Sequence, residues 1–317
     1  MRNIVNHQKK SVDMCKILYF VLSTLLIAGC VSPAAYREPI TRFQQASTVV
    51  IEGARTEYGL ANKRERNAVI DRLVVKRARI SLQTLNDKEM RVLGGDDLAA
   101  RMAALDALAK HGQLLLTLAS SDAPARAKDA ANSLDDAIRD LSSSLGHVPS
   151  DAFKNKTEGF ATIAAEVTKL ALEARISQAL DKAITLSEKD VLALIRLLRE
   201  EMSGLYERQR NALSAARVSA TDEYNEELKK PGSSHEKLQK AASEIKRVED
   251  AWDRLPLLLG AGPGLDAMAQ AHQKLADYAR SSKNPQDLAE LIEATDAFVT
   301  QAKVIADAIK TIQEAKE

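Results

Sequence analysis

The sequence predicts an all-α protein: an elongated antiparallel bundle of long helices with coiled-coil-like packing. Three observations predict it. Ala, Leu, Glu, Lys and Arg dominate, and aromatic residues make up only 4% of the 317 residues, a composition typical of long helices and coiled coils. Pro33, Pro39, Pro124, Pro149, Pro231, Pro256, Pro263 and Pro285 coincide with other breaking signals, and long proline-free windows lie between them. A proline inside a helix costs about 3 kcal/mol or more, so each one predicts a boundary. Apolar residues also recur at spacings that alternate between four and three, as in Val191, Ile195, Leu198, Met202 and Leu205. Such a seam buries against a partner helix. No strand-like alternation of any length is present.

The elements follow in order. A first helix is expected from Glu38 to Leu85, with Gly53 and Gly59 marking a bend or a close approach. A connector, "NDKEMRVLGGD", leads to a second helix from Asp96, a good N-cap, to Ser120. Pro124 suits the first turn of a third helix, which Gly146 should stop after Leu145. "HVPSD" opens a fourth helix running to Thr185. Ser187 and Asp190 resemble a capping box, which predicts a fifth helix from there to Pro231. Its seam runs on from Leu205 through Gln209 to Ala212 and Ala216, so Gln209 either specifies register or sits at the solvent edge. A sixth helix covers Ser234 to Leu255, and "GAGPG" at 260–264 is expected to be a flexible connector or hinge. The seventh helix spans Leu265 to Ser281. The eighth starts at Asn284-Pro285 with the seam Leu288, Leu291, Thr295, Phe298, Ala302, Ile305, Ile309 and Ile312. Short loops favour antiparallel neighbours.

The N-terminus is a different kind of segment. Arg2, Lys9, Lys10 and Lys16 precede an uncharged stretch, Ile17 to Gly29, too short to span a bilayer. It ends in Ile27-Ala28-Gly29-Cys30. This resembles the lipobox of bacterial lipoproteins, in which an aliphatic residue and two small ones precede the cysteine. The resemblance implies a diacylglycerol on the Cys30 thiol, cleavage between Gly29 and Cys30, and acylation of the new amino group with a palmitate-class chain. Several chains together hold a protein stably at a membrane, because each buried methylene contributes about 0.8 kcal/mol. Val31 stands where an aspartate would, by the same analogy, retain a lipoprotein in the inner membrane. The expected address is therefore the periplasmic face of the outer membrane. Met14 begins a complete compact signal of its own. The organisation expected is a signal at 1–29, an acylated cysteine and tether at 30–38, and a bundle at 39–317.

Cys15 and Cys30 are the only cysteines. The processed body thus has neither a disulfide nor a cysteine metal site. The whole chain carries +1, and removing four basic residues and one acidic residue with the signal leaves −2. That balance, and the expected periplasmic address, argue against nucleic acid. His111, His147, His235 and His272 are scattered and form no metal-binding motif, and His272 fits the seam of Met268 and Leu275 as a packing residue. Ser234-His235-Glu236-Lys237 matches SxxK, yet reads more simply as a helix start, and "GAGPG" lacks the lysine of a phosphate loop. No catalytic, cofactor or metal constellation is assigned. The densest basic stretch holds Lys63, Arg64, Arg66, Arg72, Lys76, Arg77 and Arg79, a solvated helix face or a contact for an anionic surface. Asp96-Asp97, Asp135-Asp136 and Glu200-Glu201 are read as solubility and capping charges. "LLLGAGPG" beside Trp252 either packs under the bundle end or forms an apolar lip.

The expectation is a non-catalytic, lipid-anchored envelope protein, structural or protein-binding, with an envelope protein as partner. The alternatives are a helical ligand-binding protein and an accessory lipoprotein of a secretion or efflux machine.

Overall fold

The computed structural model of this chain describes residues 34–87, 90–120, 124–145, 165–166, 168–170 and 175–314. Among the described residues the fold is all-α, with no strand. The helices are α1 (Ala34–Val75), α2 (Leu82–Leu85), α3 (Gly95–Ser120), α4 (Pro124–Leu145), α5 (Ile176–Lys229), α6 (His235–Trp252), α7 (Leu255–Arg280) and α8 (Pro285–Glu314).

Four of them, α1, α3, α5 and α7, form the centre. Polar contacts fix their directions. Arg37 of α1 donates to the carbonyl of Ser120 at the end of α3 (3.0 Å), and Asn62 to that of Leu93 just before α3 (2.9 Å), so these helices run antiparallel. Arg199 meets Asp266 (3.1 Å) and Gln273 meets Glu188 (2.6 Å), which sets α7 antiparallel to α5. Tyr36 donates to Asp181 (2.5 Å) and Tyr58 to Glu201 (3.1 Å), so α1 and α5 run parallel on one diagonal. The centre is thus an up-down-up-down bundle. Helix α8 packs against α1 and α7, α4 covers α3, and α6 pairs with α5.

The predicted seams are the core stripes. Val191, Ile195, Leu198, Met202 and Leu205 of α5 are buried, as are Leu291, Thr295, Phe298, Ala302 and Ile305 of α8. The α5 seam then opens: Gln209 is half-buried and Ala212 exposed. The reason is length. Helix α7 begins only at Leu255, and beyond that level α5 has α6 as its main neighbour.

Several boundaries differ from expectation. Helix α1 starts at Ala34, ahead of Pro39, which lies inside it and forgoes one helical bond, to the Ala35 carbonyl. It ends at Val75, not Leu85. The Ala78 N–H reaches the Leu73 carbonyl (2.9 Å) and the Arg77 N–H that of Val74 (3.0 Å), with Arg77 at φ 52°. This is the Schellman stop, with arginine where glycine is usual. A separate turn, α2, is opened by a Ser81–Thr84 capping box.

The expected break at Ser187 does not exist. Helix α5 runs unbroken for 54 residues, and Ser187 donates to the Ile184 carbonyl (3.0 Å) within it. A serine can satisfy itself this way inside a helix, so its presence does not require a cap. The glycine cluster at 260–264 is helical too, inside α7. A Cβ on Gly264 would stand 2.6 Å from Ile305 Cδ1, on Gly53 2.7 Å from Ile305 Cγ2, and on Gly260 3.2 Å from Ile305 Cγ1. The glycines of α1 and α7 form the socket for one α8 side chain. Pro263 is exposed, on the outer side of α7.

Other expectations hold. Ser234 caps α6 by accepting from the Lys237 N–H (3.3 Å), and Asn284 caps α8 through the N–H groups of Gln286 and Asp287 (2.9 Å each). The stop at Gly146, the opening at His147–Asp151, and the signal and lipobox lie outside the described residues. No described helix is long and apolar enough to cross a membrane.

Candidate functional site

Three places combine polar chemistry with a defined position. The first is a buried layer where five helices meet. His111 of α3 and His272 of α7 face each other across the core, Nε2 to Nε2, at 3.1 Å. Ser187 of α5 lies 3.3 Å from His111 Nε2. Phe43 of α1 stacks at a tilt on His272 (6.1 Å) and on Phe298 of α8 (5.6 Å). His111, His272 and Ser187 are all essentially without solvent exposure. Burial pushes His272 down to about 4, and burial together with the neighbouring His272 holds His111 well below its ordinary 6.5. Both rings are therefore neutral at pH 7. One Nε2 must then carry the proton that the other accepts, since two lone pairs would repel and two N–H groups would clash.

Sequence reasoning treated these histidines as isolated. They are 161 positions apart, and nothing in sequence marks the pairing. The one available signal was that each sits on an apolar stripe: Leu108 and Leu115 around His111, Met268 and Leu275 around His272. Two imidazoles do not complete a metal site, and among the described residues no group of three or more His, Cys, Asp or Glu converges.

The second place is the charged girdle below that layer. Arg101 of α3 is almost fully buried; its Nε donates to Glu201 (3.0 Å) and its Nη1 to the Asp97 carbonyl (2.8 Å). Tyr58 donates to the same Glu201, and burial with that carboxylate raises the Tyr58 phenol. Glu201 is thus a cross-helix tie and not a solubility charge. Beside it, the fully buried Glu57 receives Arg64 in a two-pronged pair. Glu57, Arg64, Arg208 and Gln209 line a cleft between α1 and α5.

The third place is the far end of α1. The predicted basic stretch divides there. Arg64 turns inward to Glu57, and Arg72 lies 3.5 Å from Glu65. Lys63, Arg66, Lys76, Arg77 and Arg79 are exposed, and no ion pair holds them among the described residues. Trp252 is half-buried under the Arg217 guanidinium, 4.4 Å from its ring centre, and Leu255 is buried. The side chains of residues 256–259, the rest of the apolar lip, lie outside what is described.

Comparison with protein-family models, with curated proteins and with solved structures finds no match for this chain.

Proposed function

We propose that this chain is a non-catalytic, lipid-anchored protein of the bacterial envelope that holds a helical interaction surface away from the membrane. The observation that carries the reading is the division of the molecule along its length. At one end, Val31, Ser32 and Pro33 alone separate Cys30 from the first residue of α1. An acylated Cys30 would therefore hold the bundle against the lipid. At the other end, beyond Leu213, α5 pairs mainly with α6 as an arm, which the end of α1 reaches through Asp71 and Arg247 (3.8 Å). The hydrophobic residues buried in that arm are Ala220 and Val248, while Val218 and Leu228 are exposed. A pair of helices that buries so little of its own surface retains apolar positions for a partner. The outer membrane facing the periplasm is the address that Val31 supports.

The test is Cys30→Ser in cells fed labelled palmitate. The label should disappear from the protein, and the body should leave the membrane fraction. A labelled or membrane-bound Cys30→Ser chain sinks the anchoring. Photo-crosslinkers at positions 218 and 228 in intact envelopes, with position 304 on α8 as control, then ask whether the arm is in contact. Equal crosslinking at all three positions would remove the arm from the reading.

A further inference from the structure

We infer that the tip formed by the end of α1, its Schellman stop and α2 is a docking element for an anionic lipid surface. Residues 72–82 read "RLVVKRARISL", four cations with no acid among them. Four apolar side chains interleave with those cations and lie open to solvent: Val75 is 81% exposed, Leu82 79%, Val74 62% and Ile80 39%. Helix α1 leaves them uncovered because it stops there, and α2 buries none of its residues.

Isolated exposed apolar residues are ordinary, but a contiguous group rimmed by unpaired cations is not. A bilayer interface offers phosphate charge and hydrocarbon within a few ångströms of each other, which matches side chains of both kinds on consecutive positions. An acidic protein patch would engage the arginines and leave the valines and leucine in water.

Two local features hold the tip in shape. The capping box of Ser81 and Thr84 fixes α2, and the Schellman bonds fix the turn before it. Arg77 occupies the left-handed position at φ 52°, where glycine would be unstrained. A charged side chain kept at a backbone position that favours glycine is the kind of strain that accompanies function. Asp71 faces Arg247, and Glu65 faces Arg72, so Lys76, Arg77 and Arg79 are the tip cations without an ion pair among the described residues. The tip stands about 63 Å along α1 from its start, so the lipid surface it would meet is a different one from any that an acylated Cys30 would enter, and the inference does not depend on that acylation.

The experiment uses the full chain with Cys15→Ser, Cys30→Ser and Val75→Cys, labelled at position 75 with an environment-sensitive fluorophore. A second chain carries the label at position 304 on α8. Phosphatidylglycerol–phosphatidylcholine vesicles should shift the emission at position 75 to the blue and leave position 304 unchanged, while pure phosphatidylcholine should do neither. Lys76→Gln, Arg77→Gln and Arg79→Gln together should weaken the response roughly a hundredfold, since each cation near an anionic leaflet contributes about a factor of five. Arg77→Gly should weaken it by roughly that single factor and leave the thermal midpoint no lower, because glycine relaxes the turn. Leu82→Ser should weaken it as well. A position that is silent with anionic vesicles, or equally responsive to neutral ones, overturns the inference. So does an equal shift with soluble polyglutamate, which would mean that charge alone is recognised. A probe already blue-shifted before vesicles are added would place the tip under another part of this chain and overturn it too.

Discussion

Protonating either ring of the His111–His272 pair would place a cation in a layer otherwise built from Phe43, Phe298 and Ser187. The sign of the pH effect follows from the direction of the shifts. Both folded-state values lie below the ordinary 6.5, His272 at about 4, so the unfolded chain binds protons that the folded chain refuses. Stability is fully present above pH 6.5 and falls as pH drops toward 4. The slope for His272 should be about 1.4 kcal/mol per pH unit over that window. Urea unfolding at pH 7.5 and pH 5 checks it. His111→Gln with His272→Leu should flatten the difference, and an unchanged difference would place the acid sensitivity elsewhere. Arg101→Ala leaves Glu201 and Tyr58 facing each other without their cation, and should cost about 3 kcal/mol by the same unfolding measurement.

Among the elements, Ile305 in its glycine socket is the side chain by which α8 meets both α1 and α7 at close range. Ile305→Ala should cost about 2–5 kcal/mol, because rigid helix backbones on two sides cannot collapse into the space left. Gly264→Ala drives a methyl group into Ile305 and Val50 and should cost about 1–3 kcal/mol, partly recovered by Ile305→Val. Gly59→Ala is the control. No atom lies within 4 Å of its added carbon, so it should stabilise α1 by about 0.5–1 kcal/mol. Thermal melts of the three variants rank them, and equal effects for Gly264 and Gly59 would refute the socket. Gln209 follows Leu205 on the α5 seam. Half-buried at the rim of the α1–α5 cleft, it should tolerate leucine with less than about 0.5 kcal/mol of change.

For the whole molecule, the burial pattern divides stability along the length. The central layers bury large side chains from five helices, whereas α5 beyond Leu213 and α6 bury only Ala220 and Val248 among their hydrophobic residues. Regions with few buried apolar contacts open first. Hydrogen exchange should therefore be fastest in 214–250 and slowest around Phe43, His111 and Leu194. Uniform protection along α5 would mean that the arm is stabilised by something beyond its own packing. The length of α5, about 80 Å at 1.5 Å per residue, sets how far such an arm stands from the α1 start.

Local patterns determined much of this protein. Composition and heptad spacing specify helices, because a period of 3.6 residues leaves its trace in any sequence that buries one stripe. The caps at Ser234 and Asn284 were equally legible, since a capping side chain bonds within three residues of itself. What the chain signalled wrongly were residues whose roles depend on a distant partner. "GAGPG" reads as a hinge until Ile305 is placed against it, Ser187 as a cap until the helix is seen to run past it, and His111 and His272 as bystanders until α3 and α7 are brought face to face. A glycine offers both freedom and room, and a buried serine or histidine offers either a local bond or a remote one. Which of these is used depends on what packs opposite, and that is decided only when helices far apart in sequence share a core.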